Sequence, residues 1–166
     1  MRTPPVVKIC CIASVAEAEL AIAHGAAALG LVSAMPSGPG VVADERIAEI
    51  AAAVPPSVAT FLLTARTDAD AIAEQHAACG TTTIQLVDAV ATAELVRLRR
   101  LRPGAQLVQV IHVLGDASVD EARAVAPHVD ALLLDSGTPT LAVKGLGGTG
   151  RVHDWLSDAA NAFERE

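Results

Sequence analysis

The chain has 166 residues, of which 52% are hydrophobic and 19% are charged, and its formal net charge is −7. Its length suits one domain with a buried core, and its composition excludes an intrinsically disordered chain. Lys8 and Lys144 are the only lysines and no basic stripe is present, which argues against a nucleic-acid partner.

The hydropathy pattern and the cysteines further narrow the class of protein. Charged residues or histidine interrupt every apolar run before ~18 residues, the length that a membrane span needs, and the first residues lack a signal-peptide hydrophobic region. The sequence therefore predicts a cytoplasmic protein with no membrane partner. Cys10, Cys11 and Cys79 form an odd set without zinc-site spacing, so we expect free thiols and no bound metal.

Short apolar runs rich in β-branched residues predict strands, and their starts lie 22 to 29 residues apart. The runs are Val6–Ile12, Ala28–Ser33, Ser57–Leu63, Thr82–Val87, Gln106–Val113 and Ala131–Ser136.

Segments with helical periodicity separate these strands. Ser14-Val-Ala-Glu17 is a capping box and predicts a helix that stops at Gly25. The other predicted helices begin at Asp44, at Thr67 or Asp68, at Thr92 and at Ser118, and they end at Val54, at Cys79, before Pro103-Gly104 and before Pro127.

Apolar strands that are each followed by a helix indicate a parallel sheet covered by helices. A doubly wound sheet would carry a glycine-rich loop after its first strand, but here the first glycine is Gly25 and the glycine-rich loop Gly145–Gly150 follows the sixth strand. A late phosphate loop favours a (β/α)8 TIM barrel. The sequence therefore predicts one incomplete barrel domain over residues 1–166, with about six of the eight units. We expect a homo-oligomer to cover its open sheet edges.

The glycine-rich loop predicts an anion site. Closely spaced glycines let backbone N–H groups approach an anion, and a helix opening near His153 would add its N-terminal dipole. The predicted phosphate-binding residues are Gly147, Gly148, Thr149 and Gly150. The expected substrate is therefore a small phosphorylated molecule.

Side chains at predicted strand ends are the candidates for chemistry. Strand alternation puts Lys8, Cys10 and Ile12 on one face and leaves Val7, Ile9 and Cys11 on the other. Cys10 lies where barrel enzymes place catalytic groups, although a buried thiol is also an ordinary small hydrophobe.

Asp135 closes a strand of three leucines, so it needs either a chemical task or a loop to cap. Gln85 and His112 are predicted to point into the same mouth, although each is also an ordinary polar residue. The histidines expected at the surface are His24, His76 and His128.

Four segments together resemble one known family. They are Val7-Lys8-Ile9-Cys10, Ile84-Gln85-Leu86, Leu133-Leu134-Asp135-Ser136, and Gly147-Gly148-Thr149-Gly150 followed by Asp154-Trp155. Their order and spacing resemble the phosphoribosylanthranilate isomerases of tryptophan biosynthesis along nearly the whole chain.

The resemblance implies a (β/α)8 barrel and a cofactor-free Amadori rearrangement of N-(5-phosphoribosyl)anthranilate. It implies that Asp135 is the general acid and that Cys10, as thiolate, is the base. The residues it implies at the substrate and its phosphate are Lys8, Gln85, His112, Gly147, Gly148, Thr149 and Gly150.

The chain also departs from the family pattern. Cys11 stands where the family has glycine, Gly40 stands where it usually has arginine, and Val87-Asp88 replaces His-Gly. The last two units, with a second glycine-rich loop, are not in this sequence. Two alternatives therefore stay open: a catalytically impaired module for phosphate-ligand binding or assembly, and an isomerase for a different amino-sugar phosphate.

Overall fold

The computed structural model describes residues 5–36 and 38–135. These residues form one parallel sheet in which each strand pairs with the next along the chain. Its strands are β1 (Lys8–Ile9), β2 (Ala28–Val32), β3 (Ala59–Thr64), β4 (Thr83–Leu86), β5 (Gln106–His112) and β6 (Ala131–Asp135). The helices between them are α1 (Val15–Ala23), α2 (Asp44–Ala53), α3 (Ala69–Cys79), α4 (Thr92–Leu101) and α5 (Ala117–Val125), with a 3-10 turn at Ala126–His128.

The strand order confirms the predicted architecture. A doubly wound sheet reverses its order at a switch point, whereas the sequential order from β1 to β6 is that of consecutive strands in a (β/α)8 barrel. The sheet curls into an incomplete (β/α)8 barrel of six units. The described residues contain no helix with both the length and the apolar content to cross a bilayer.

Side-chain caps fix the starts of two helices where the sequence predicted them. Ser14 Oγ accepts a hydrogen bond from the Glu17 amide at 3.2 Å, and Asp68 Oδ1 accepts one from Ala71 at 2.9 Å. Ser118 lies inside α5 and has a different task. Its Oγ donates to the His112 carbonyl at 3.1 Å and accepts from the Leu114 amide at 3.0 Å, which ties α5 to the end of β5.

The two faces of the sheet bury different material. Towards the helices, fully buried aliphatic side chains form two clusters, each such side chain contributing about 1.5–3 kcal/mol. The opposite, inner face carries a smaller cluster of Val32, Leu63, Val87 and Val110 near the strand ends. The stabilising core therefore lies outside the curled sheet, and the inner face is left for a cavity.

The predicted alternation of strand one is wrong after Cys10. Ile12 is 4% exposed and packs in a helix-side cluster, whereas Cys11 packs with the inner cluster. The reason is backbone geometry. β1 ends at Ile9 and Cys11 has φ +63°, which reverses the direction of the following side chains.

The predicted surface position of His76 is also wrong, because this residue is 4% exposed. Its Nε2 donates to the Thr81 carbonyl at 2.8 Å, and its Nδ1 accepts from Arg102 Nε at 2.9 Å. Burial, reinforced by the charge of Arg102, lowers the pKa of His76. His76 is therefore a neutral structural residue.

Candidate active site

A cavity of about 270 Å³ lies on the inner face at the carboxyl ends of the strands. This is the end of the sheet where (β/α) barrels place their functional groups. The cavity is lined by Lys8, Cys10, Cys11, Val32, Met35, Gly38, Pro39, Leu63, Gln85, Val87, Val110, His112, Leu133 and Asp135.

The cavity brings together the two side chains proposed for chemistry. Cys10 follows β1 and Asp135 ends β6, the two outermost described strands, and both line the same space. Curling of the sheet makes this possible, since a flat sheet would keep its edge strands far apart. Lys8, Gln85 and His112 line the same cavity, as was predicted from the sequence for Gln85 and His112.

Gly30 makes room for the Cys10 thiol, a role that the sequence analysis did not predict. A Cβ atom on Gly30 would lie 2.6 Å from Cys10 Sγ and 3.2 Å from Cys10 Cα. Only a residue without a side chain fits beside the thiol. A glycine inside an otherwise apolar strand is the signal that could have pointed to such a close approach.

Lys8 is anchored inside the curl of the sheet. Its Nζ donates a hydrogen bond to Gln85 Oε1 and lies 4.5 Å from the centre of the Phe61 ring. Gln85 is 5% exposed, so this bond holds a positive charge at the wall of the cavity. The aromatic face stabilises the ammonium group further.

His112 and Asp135 are neighbours on β5 and β6, where they are partners in the strand register. His112 Nε2 lies 3.2 Å from the Val87 carbonyl oxygen, and its Nδ1 lies 3.7 Å from Asp135 Oδ2. The side chains are 10% and 22% exposed, respectively. A titratable ring therefore stands directly beside the candidate acid.

Cys11 packs against the loop between β2 and α2. Its Sγ donates to the Pro39 carbonyl at 3.6 Å, and a Cβ atom on Gly40 would lie 2.5 Å from Cys11 Cβ. Burial, and to a lesser degree the electrostatic influence of Cys10, raises the pKa of the Cys11 thiol. The left-handed backbone of Cys11 is the conformation that glycine adopts most easily.

The remaining predicted site residues, Gly147, Gly148, Thr149 and Gly150, lie outside the described residues. Within residues 5–36 and 38–135, no three His, Cys, Asp or Glu side chains come close enough to hold a metal ion.

A sequentially ordered parallel sheet with polar groups converging at its carboxyl ends defines a protein of the (β/α)8-barrel class. The crystal structure of phosphoribosyl anthranilate isomerase from Thermus thermophilus matches it with a TM-score of 0.77 and 23% identity, over 98% of this chain and 74% of that one. No family model matches the chain.

Curated relatives identify the family. The chain is 31% identical over 150 residues to N-(5'-phosphoribosyl)anthranilate isomerase 2 of Methanosarcina mazei, over 90% of this chain and 66% of the relative. It is 30% identical to the N-(5'-phosphoribosyl)anthranilate isomerase of Microcystis aeruginosa, over 93% of this chain and 70% of the relative. The chain belongs to the N-(5'-phosphoribosyl)anthranilate isomerase family. It spans just under two thirds of the Methanosarcina mazei relative's length.

Proposed function

We propose that the chain is a phosphoribosylanthranilate isomerase. It would convert N-(5-phosphoribosyl)anthranilate into 1-(o-carboxyphenylamino)-1-deoxyribulose 5-phosphate by an Amadori rearrangement. The observation that carries this proposal is the convergence of Cys10 and Asp135 on one cavity that also holds Lys8, Gln85 and His112. A thiol and a carboxyl group that line one cavity supply the base and the acid that such an isomerisation needs.

Asp135 is the general acid in this mechanism. Its carboxyl proton passes to the ring oxygen of the ribose, the bond between that oxygen and C1 breaks, and the nitrogen lone pair forms a C1=N Schiff base. The carboxyl group is partly exposed, so solvent can return the proton. As the acid, Asp135 must enter the reaction protonated.

Cys10 is the base of the second step. Its thiolate takes the proton from C2, the bonding electrons move towards the Schiff-base nitrogen, and the resulting enolamine relaxes to the ketone. The exposure of Cys10 and the space left by Gly30 support this role, because the sulfur can face a substrate without moving the backbone. Two groups in opposite protonation states are what the two steps require.

The other polar residues of the cavity bind the sugar. Lys8 and Gln85, already joined by a hydrogen bond, present a donor and an amide to the substrate hydroxyl groups. Gly147, Gly148, Thr149 and Gly150 are assigned to the phosphate by their spacing alone.

Growth of a tryptophan auxotroph that lacks the isomerase tests the proposal. We expect the chain to restore growth and D135N to abolish it, because an amide cannot supply the proton. D70N is the matched control, since Asp70 is exposed in a surface ion pair with Arg97. Growth with D135N equal to that of the unchanged chain would remove Asp135 from the mechanism. Failure of the folded, unchanged chain to turn over the substrate would remove the proposed function.

One observation favours a second candidate, an isomerase for a different amino-sugar phosphate. The side of the cavity next to β2 is formed by Val32, Met35, Gly38 and Pro39, so within the described residues this side presents no charge. A carboxylate on the substrate's aromatic ring would find no cation there. Comparing turnover of N-(5-phosphoribosyl)anthranilate with that of N-(5-phosphoribosyl)aniline separates the two candidates, because the second favours the uncharged ring.

A further inference from the structure

His112 lies between two cavities at the end of β5. One is the candidate active site, where it faces Asp135. The other is a space of about 390 Å³ that His112 shares with Thr67, Asp88, Leu114 and Glu121. The ring is therefore held at the boundary between them, with 10% of its side chain exposed.

The hydrogen bond to Val87, the residue after β4, determines which ring nitrogen carries a proton. The Val87 carbonyl oxygen can only accept, so His112 Nε2, 3.2 Å away, must be the donor. In the neutral ring, Nδ1 then carries a lone pair. This nitrogen is buried and makes no hydrogen bond with any described residue, and Asp135 Oδ2 faces it at 3.7 Å.

We propose that His112 is a positioning residue that keeps the proton on Asp135. With Nε2–H committed to Val87, the Nδ1 lone pair faces the carboxyl group and matches its protonated form, whose O–H is a donor. A hydrogen bond needs ~2.7–3.2 Å, so the two side chains, now 3.7 Å apart, must move closer together to form one. The inference rests on the proposed function for its catalytic meaning, and on geometry for the pairing itself.

The proton count follows from this arrangement. Before the reaction one proton lies between Asp135 and His112 Nδ1, on the carboxyl group, while His112 Nε2 keeps its own proton. Asp135 gives that proton to the ring oxygen of the sugar, leaving a carboxylate, and the pair then takes one proton from solvent. If His112 receives it at Nδ1, transfer to Asp135 restores the starting state without a change in total charge.

Other titratable groups lie near the His112–Asp135 pair. On the active-site side the titratable groups are Lys8, Cys10 and Cys11 together with Asp135. On the other side Asp88 and Glu121 line the second cavity with His112. Groups of both charge signs therefore lie around the pair.

Nitrogen NMR of the ¹⁵N-labelled full chain tests the pairing without any substrate. His76 is an internal reference, because its Nε2 donates to Thr81 and its Nδ1 accepts from Arg102. We expect His112 to show the same Nε2–H tautomer as His76. We also expect D135A, but not E121Q, to shift the His112 Nδ1 resonance while the His76 signals stay in place. The proposal would be overturned by an Nδ1–H tautomer of His112, or by a His112 Nδ1 chemical shift that stays the same in D135A.

Two substitutions separate proton positioning from simple anchoring. In H112N the side-chain oxygen takes the place of Nδ1 and keeps an acceptor towards Asp135, while in H112Q the amide nitrogen takes the place of Nε2 and keeps the donor to Val87. We expect H112Q to lower kcat about 10- to 100-fold with little change in KM, a part of the ~10²–10⁴ that a positioned general acid supplies. H112N should retain more of kcat and the acid side of the pH profile.

The reverse order, with H112Q active and H112N impaired, would show that His112 only anchors β5 to β4. The NMR result and the turnover result are independent. A chain with the expected tautomer but no turnover would contradict the proposed function alone, and an active chain with the wrong tautomer would contradict the inference alone.

Discussion

Hydrogen bonds hold the cavity on the side of β4, β5 and β6, whereas close backbone contact holds it on the side of β1 and β2. On the first side, Gln85 accepts a hydrogen bond from Lys8 of β1, His112 donates one to the Val87 carbonyl, and Asp135 lies 3.7 Å from His112 Nδ1. On the second, Cys10 and Cys11 lie against glycines that have no room for a Cβ atom. The β4–β6 side should therefore tolerate changes in side-chain volume but not the loss of a hydrogen bond. The β1–β2 side should tolerate changes in hydrogen bonding but not added volume.

The largest expected effect is on the β1–β2 side. G30A places a methyl group 2.6 Å from Cys10 Sγ, so the thiol must rotate away from its position. A displacement of this kind costs about 100-fold in kcat. G104A is the matched control, because its added Cβ meets nothing within 4 Å. Equal turnover by the two variants would show that the position of the thiol does not depend on Gly30.

A second substitution tests the contact between Cys11 and Gly40. G40A is strained twice, because Gly40 has φ +74° and the new Cβ would lie 2.5 Å from Cys11 Cβ. We expect the free energy of unfolding to fall by about 1–3 kcal/mol, measured by urea denaturation.

Adding C11G to G40A removes the contacts with the Cys11 side chain. It leaves the Cα of residue 11 at 2.9 Å from the new Cβ and leaves the strain of a side chain on a left-handed backbone, so stability should return only in part. Strictly additive effects of C11G and G40A would show that the two residues do not interact.

Asp130, the residue before β6, offers a pH test of a polar contact between neighbouring strands. Burial opposes ionisation of Asp130, but hydrogen bonds from the Leu107 amide and Arg99, with the charge of Arg99, outweigh it and lower the pKa of Asp130 below 3.8. A carboxyl group with a lowered folded pKa stabilises the protein above its unfolded pKa and loses this effect as the pH falls.

We therefore expect D130N to be less stable than the unchanged chain at neutral pH, and the difference to shrink below about pH 3.8. Urea denaturation across this range measures it. A difference that stays constant with pH would mean that the charge of Asp130 contributes nothing.

The smallest expected effect concerns thiol reactivity. Burial, followed by the charges of Asp44 and Glu45, raises the pKa of Cys79 to about 12, so Cys79 stays protonated at pH 8. Iodoacetamide should then label the exposed Cys10 first, and should leave Cys79 unlabelled until the chain is unfolded. Peptide mass spectrometry measures the order, and early labelling of Cys79 would contradict its burial.

The sequence predicts the parts of this molecule that depend on simple periodicity. Apolar runs located all six described strands, although β1 is only Lys8–Ile9 where Val6–Ile12 was predicted, and the 3-10 turn Ala126–His128 was not predicted. Helical periodicity located the five α-helices, and side-chain caps fix the starts of α1 and α3. The meeting of Cys10 and Asp135 follows from the rule that parallel strands end on one side of a barrel. The strand alternation failed at Cys11, because a positive φ in a residue other than glycine leaves no mark in the sequence.

Contacts between segments that are distant in the sequence could not be predicted either. The approach of Gly30 to Cys10 depends on how closely β1 and β2 pack, and the burial of His76 depends on Arg102 from the end of α4. The tautomer of His112 depends on a carbonyl group of the adjacent strand end. Each of these features arises from tertiary geometry that a single sequence does not encode in any local pattern.

The reach of one lysine has a mechanical consequence. Lys8 belongs to β1, yet its ammonium group touches Phe61 on β3 and Gln85 on β4. Adjacent strands are ~4.8 Å apart, so in a flat arrangement β1 and β4 would be about 14 Å apart. The Lys8 side chain therefore links β1 to β3 and β4 across the inside of the curled sheet, and its length limits how far these strands can move apart. Replacing it with a shorter side chain would let the curvature relax and would widen the mouth through which a substrate enters.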